Sequence, residues 1–306
     1  MPSKESKALH ELYTSIKTRL MSNPCMSIDE QRALLECLQD PASEPTEVIY
    51  EEVQCPGTIR QAIWCKPLSA SKISVILYLH GGGGFAGSPS SHRKLAGHLA
   101  KAASSQALVI DYRQAPENPF PNGLEDASTT YEWLINSQGY KPQYIGIAGD
   151  SAGGNLATAL GLKLMKEGKP LPAAIAAFSP WLDMESTGES MIKNADTEAL
   201  APPGMLSVIA TMYIGSASPK EPLANPLYGN FIGFPPLHIS VGGHEALLND
   251  ATRLANNAKM AGVDVTLEVV PEMQHVYHFM AGRAPEATKT ISEVGAWLKD
   301  KLSSRG

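Results

Sequence analysis

Cysteine is scarce: the 306 residues hold four, Cys25, Cys37, Cys55 and Cys65, all before His80. No two form a CxxC pair, which argues against a zinc site. Thiols scattered through a chain of this length read as reduced rather than as a disulfide framework. Long apolar runs are missing too. Nothing approaches the ~18 uninterrupted apolar residues of a membrane helix, and Met-Pro-Ser-Lys-Glu-Ser-Lys at the start carries no apolar leader core. The expectation is a cytoplasmic protein with no membrane span. There is no basic excess either. Twenty-five Lys and Arg face 31 Asp and Glu, a formal net charge of −6, whereas a phosphate-backbone binder needs a basic stripe. What is present is a 43% hydrophobic share, ordinary for a globular chain. At about 150 residues per domain the length allows two domains or one large α/β unit.

The first forty-odd residues have helical periodicity. Leu9, Leu12, Tyr13, Ile16 and Leu20 fall on one face, and Ser27 with Glu30 reads as a capping box before a second helix. Strands are expected at 47–53 and 59–66. Beyond them, short apolar strands at 73–79, 107–111, 144–148, 173–179, 237–241 and 263–270 alternate with helices at 92–103, 123–137, 154–167 and 250–261. That alternation predicts an α/β fold with a mostly parallel sheet covered on both faces. A helix over 287–302 closes the chain. The stretch from Met184 to Pro222 breaks the pattern. Its helix 203–213 carries an apolar stripe that either packs on the core or lies over the carboxyl edge of the sheet, where such folds bind ligands.

Two motifs carry chemistry. Gly149-Asp150-Ser151-Ala152-Gly153 is a G-x-S-x-G sequence between an expected strand and an expected helix, the setting of a nucleophile elbow. His80-Gly81-Gly82-Gly83-Gly84-Phe85 follows another strand. Four consecutive glycines are entropically costly, but they let main-chain N–H groups converge where no Cβ intrudes, as an oxyanion hole requires. No phosphate-binding glycine pattern is present.

Together these motifs resemble the hormone-sensitive-lipase branch of the α/β-hydrolases. The likeness extends through Asp111-Tyr112-Arg113-Gln114-Ala115-Pro116-Glu117, Phe120-Pro121, Glu125-Asp126-Ala127 and Ser179-Pro180-Trp181, and so covers most of residues 50–302. Within that branch the chain is similar to bacterial and fungal carboxylesterases and to monoterpene ε-lactone hydrolases. The resemblance implies that Gly82, Gly83 and Ala152 donate to an oxyanion. It also implies that residues 1–45 and 184–220 form a helical cap over an α/β core of 46–183 and 221–306. Gly84 stands where the family more often has an aromatic residue, so a wider pocket is expected there. Gly84, Phe85, Met205, Ile209 and Val276 are the expected pocket residues. His275, in Met273-Gln274-His275-Val276-Tyr277, matches the setting of the family's catalytic histidine, and His278 is then a pocket or supporting residue.

Aligning the leucines after the strand 237–241 places Glu245 in the acid position. Glutamate is an accepted triad acid on this fold, and a neutral His244 supplies no negative charge. His244 nonetheless stands where close relatives often carry an aspartate, which makes it the alternative orienting residue. Asp250 is expected to cap the following helix and Asp183 to be structural. The reading is a serine hydrolase of small to medium apolar esters or lactones, acting through an acyl-enzyme with no metal or organic cofactor. The expected partner is that small-molecule ester or lactone, with no nucleic acid, and a homodimer is compatible with the sequence. Two alternatives stay open. One is a lyase, dehydratase or cyclase of secondary metabolism on the same scaffold, suggested by His244 and Gly84; the other is a ligand-binding receptor.

Overall fold

Alternating side chains of the central strands point into two different apolar layers, and that alternation organises the molecule. The computed structural model describes residues 2–201 and 203–303; Met1, Pro202 and 304–306, which fall in the segments expected as cap and core, lie outside the described residues. In chain order the strands are β1 (Val48–Val53), β2 (Ala62–Pro67), β3 (Val75–Leu79), β4 (Gln106–Ile110), β5 (Ile145–Asp150), β6 (Ala174–Phe178), β7 (Leu237–Gly242) and β8 (Val265–Val270). They form one sheet in the order β1-β2-β4-β3-β5-β6-β7-β8. β2 runs antiparallel to β1 and β4, and every other pairing is parallel.

The helices are α1 (Lys4–Ser22), α2 (Ile28–Leu35), α3 (Pro89–Ala102), α4 (Asn122–Asn136), α5 (Ala152–Lys166), α6 (Ser190–Lys193), α7 (Pro203–Ile214), α8 (Leu248–Met260) and α9 (Pro285–Leu302). On one face of the sheet Ile76 and Tyr78 pack with Leu95 and Leu99 of α3 and Val294 and Leu298 of α9. On the other, Val75, Leu77 and Leu79 pack with Leu124 of α4, Leu160 of α5 and Leu254 of α8. A strand buried on both sides cannot alternate apolar with polar, which is why these strands read as continuous apolar runs.

Element edges depart from expectation in three instructive places. The second strand starts at Ala62, not Ile59, because the Ile59 N–H is drawn to the Asp111 carbonyl and Arg60 pairs with the Asp111 carboxylate at 2.6 Å. α3 starts at Pro89, three residues early, on a reciprocal Ser88–Ser91 capping box with proline in the first turn. Asp250 does not cap α8 from outside. It sits in the first turn, and its carboxylate accepts the N–H groups of Leu182 and Asp183 instead.

The N-terminal helices are fastened to the body. Ser3 caps α1, and its N–H and hydroxyl both reach Glu286 at the start of α9, at 2.7 and 2.8 Å. The capping box of Ser27 and Glu30 is present. All four cysteines are free, and burial pushes the Cys55 thiol up to about 11. Among the described residues no helix is long and apolar enough to cross a membrane.

Candidate active site

The loops that follow β3, β5, β6, β7 and β8 all leave the carboxyl edge of the sheet, and the chemistry-bearing residues lie on them. The register puts Leu79 beside Gly149, Asp150 beside Phe178 and Gly242 beside Val270. Residues far apart in sequence therefore emerge side by side.

Ser151 occupies the turn between β5 and α5 at φ 53°, ψ −120°, a strained backbone for a residue with a Cβ. The flanking glycines are sterically required. A Cβ on Gly153 would run into the Leu79 carbonyl oxygen, and one on Gly149 into the Gly153 carbonyl. The turn holds Ser151 Oγ 2.9 Å from His275 Nε2. His275 Nδ1 lies 2.8 Å from Glu245 Oε2. Glu245 is fully buried, and its other oxygen accepts the Ser179 hydroxyl at 2.6 Å and the Gly242 N–H. Burial by itself disfavours an imidazolium at His275, but the hydrogen bond and charge of Glu245 outweigh it and raise its pKa above the ordinary imidazole value. His80 and His278 have no such partner. Burial pushes both down to about 3, so neither is a competing base at neutral pH.

Gly82 and Gly83 follow β3 at φ 108° and 63°. Among the described residues neither N–H has a hydrogen-bond acceptor. Ala152, directly after the serine, opens α5, whose first N–H groups have no partner inside the helix. Asp150 ties this loop to the serine turn: Oδ1 accepts the Tyr78 hydroxyl at 2.8 Å and the Gly81 N–H at 3.2 Å. Gly82, Gly83, the Ser151 hydroxyl and the carboxylate-backed imidazole of His275 thus line one cavity. Such a set can move a proton from an attacking oxygen while holding charge on a carbonyl oxygen.

The serine opens into a cavity of about 370 Å³ whose walls are largely apolar. Phe85, Met205, Ile209 and Val276 line it, together with Gly82 and Gly83. Gly84 does not. The Tyr213 ring fills the space beside it, 2.6 Å from where a Cβ would stand, so the missing side chain leaves no extra room in the cavity. With Gly84 also at φ 71°, Gly84→Phe is expected to cost about 1–3 kcal/mol through strain and overpacking. A thermal unfolding midpoint at or above the native value would contradict this.

His244 is also not where the sequence suggested. It faces a separate cavity of about 280 Å³ beside Lys7, His10 and Glu272, and among the described residues its side chain makes no hydrogen bond to His275, whose ring nitrogens meet Glu245 and Ser151. Asp183 accepts from Thr187 and Arg253 and is structural. His278 supports the site from behind, 2.7 Å from Ser240 Oγ. Sequence reasoning missed the contribution of Leu20, Met26 and Leu35 to the cavity wall, and it missed Ser179. It also missed Glu198, whose carboxylate accepts the Leu200, Ala201 and Ala246 N–H groups.

A doubly covered, mostly parallel sheet with a serine elbow, a glycine loop and this histidine–glutamate pair at its carboxyl edge is the architecture of an α/β-hydrolase. The chain belongs to that family: residues 76–279 match the family described by the alpha/beta hydrolase fold, and its likeness is to the hormone-sensitive-lipase branch. It is 41% identical over 269 residues to an acetyl-hydrolase of Streptomyces hygroscopicus, covering 84% of this chain and 89% of that one. With an esterase of Acinetobacter venetianus it shares 34% identity over 226 residues, 74% of each chain. The crystal structure of an esterase from the bacterial hormone-sensitive lipase family superposes with a TM-score of 0.93 at 38% identity, covering 99% of this chain and 100% of that one.

Proposed function

We propose that the protein is a carboxylic ester hydrolase in which Ser151 is the nucleophile, His275 the general base and acid, and Glu245 the triad acid. The observation that carries this reading is the unbroken chain Ser151 Oγ, His275 Nε2, His275 Nδ1, Glu245 Oε2, with links of 2.9 and 2.8 Å. In the first half-reaction Ser151 Oγ bonds to the ester carbonyl carbon as its proton passes to His275 Nε2. The carbonyl oxygen, now negative, is held by the N–H groups of Gly82, Gly83 and Ala152. The C–O bond then breaks, and the alkoxide leaves with the proton from His275. In the second half-reaction water gives a proton to His275 as its oxygen bonds to the acyl carbon; the bond to Ser151 Oγ then breaks, His275 returns the proton to that oxygen, and the acid is released.

Residues 1–45 and 184–220 serve as the cap in this reading, since α1, α2 and α7 supply apolar wall facing the serine. A cavity of about 370 Å³ suits small to medium apolar acyl or alcohol groups. A lactone of that size would react by the same steps, its leaving oxygen remaining tethered to the acyl chain. The four free thiols suit a reducing compartment such as the cytoplasm. The names of the relatives, acetyl-hydrolase and esterase, favour hydrolysis over a lyase or a receptor. His244, which had suggested other chemistry, lies outside the cavity with Ser151.

Rapid mixing with p-nitrophenyl acetate and butyrate tests the reading. A burst of p-nitrophenol equal to the enzyme concentration, followed by slower steady release, is expected. No release above the buffer rate with either ester would sink it.

A further inference from the structure

Ser179 is outside the reacting set, yet its hydroxyl touches Glu245 and the backbone of the residue after His275. Resting on the ester-hydrolase reading above, we propose that Ser179 is a positioning residue whose single oxygen aligns the acid and the base with each other. Its Oγ donates to Glu245 Oε1 at 2.6 Å and accepts the Val276 N–H at 3.1 Å. A serine hydroxyl has one proton and two lone pairs, so with the proton given to the carboxylate a lone pair remains for the backbone of the residue after His275.

The consequence for Glu245 is rotational. Oε1 is held by Ser179 and by the Gly242 N–H, which leaves Oε2 aimed at His275 Nδ1. The consequence for His275 comes through Val276. That residue has φ 45°, an outlier conformation for a β-branched side chain, which persists only where the surroundings over-determine it. The bond from its N–H to Ser179 is part of that constraint, and it fixes the chain where the imidazole must turn toward Ser151. Ser179 is itself held. It is fully buried at φ 43°, and its own N–H donates to the Ser240 carbonyl of β7 at 2.7 Å. The acid loop after β7 and the base loop after β8 are thus pinned to one atom at the end of β6. The other charged groups acting on His275 are Glu198 and Asp150; neither hydrogen-bonds to the imidazole.

Ser179→Ala tests this. The expected result is a fall in kcat of about 10- to 100-fold, the worth of a hydrogen bond to a charged group, with KM changed less than about twofold. The acid limb of the kcat/KM profile should move to lower pH, because a freely turning carboxylate supports the imidazolium less well. The downfield proton resonance of the His275 Nδ1–H should move upfield. In a Glu245→Gln background the same change should cost clearly less than in the native enzyme, since the carboxylate whose rotation it fixes is gone and only the bond to the Val276 N–H is left to lose. A folded Ser179→Ala with native kcat, limb and resonance overturns the proposal, as does a full additive loss in that background. If Ser179→Ala does not fold, Ser179→Cys keeps the size, weakens the donor and is read the same way; native values there also overturn it. Ser151→Ala run alongside separates the two readings. If it retains turnover, the hydrolase reading falls and this inference with it; if it is inactive while Ser179→Ala is native, only the role of Ser179 falls.

Discussion

Ser151→Ala lowers kcat on p-nitrophenyl butyrate by about 10⁶-fold, the loss seen when the nucleophile of a serine triad is removed. The expectation follows from how the site is built. Among the described residues no other hydroxyl is hydrogen-bonded to His275 Nε2, so no neighbour stands ready to take over the attack. The turn around the serine is set by Gly149, Gly153 and the Leu79 carbonyl, which the substitution leaves in place. The variant should therefore fold, keep its cavity and bind ester, and differ only in having no oxygen to acylate. Steady-state rates with a mass measurement of the acyl adduct on the native enzyme check it. Activity within about a hundredfold of native, or an adduct on another residue, would remove Ser151 from its role.

Glu245→Gln lowers kcat by about 10⁴-fold, as the amide replacement of the triad acid does in a serine protease. Three donors converge on Glu245: the Ser179 hydroxyl, the Gly242 N–H and the His275 Nδ1–H. A carboxylate satisfies all three; a glutamine has one oxygen. With that oxygen held by Ser179 and Gly242, the amide NH₂ faces His275 Nδ1 and forces the ring proton onto Nε2, where it blocks transfer from Ser151. The pH profile gives an independent sign. His275 works as base only when neutral, so activity falls as pH drops through its pKa. That pKa stands above the ordinary value because the bond and charge of Glu245 outweigh burial. Removing the charge lowers it, and the residual activity should extend to lower pH than native. A limb displaced upward, or a loss under tenfold, would contradict the assignment.

The strands were legible because a doubly covered sheet writes itself as uninterrupted apolar runs, and the elbow because its glycines answer to local sterics. Ser88 with Pro89 is an equally local signal, and it starts α3 three residues before the expected position. What the sequence could not show depends on partners distant along the chain. Ser179 lies 66 residues from Glu245, and nothing in Ser-Pro-Trp announces that its hydroxyl meets a carboxylate. Gly84 illustrates the converse error. An absent side chain suggested space, but Tyr213, 129 positions later, supplies the ring that fills it. His244 and Glu245 are neighbours in sequence and rival candidates for the same task, yet the turn after β7 leaves His244 lining one cavity and buries Glu245 against His275.

The site divides its labour between two kinds of chain. Every group proposed to react sits at or just beyond a strand of the sheet, whereas much of the wall that a substrate's tail would touch comes from α1, α2 and α7. Those helices carry none of the reacting atoms. Mutations there can reshape the fit without disturbing proton transfer, and mutations at the strand ends cannot. Change in the shape of the cavity can therefore accumulate in α1, α2 and α7 while Ser151, His275 and Glu245 keep their alignment.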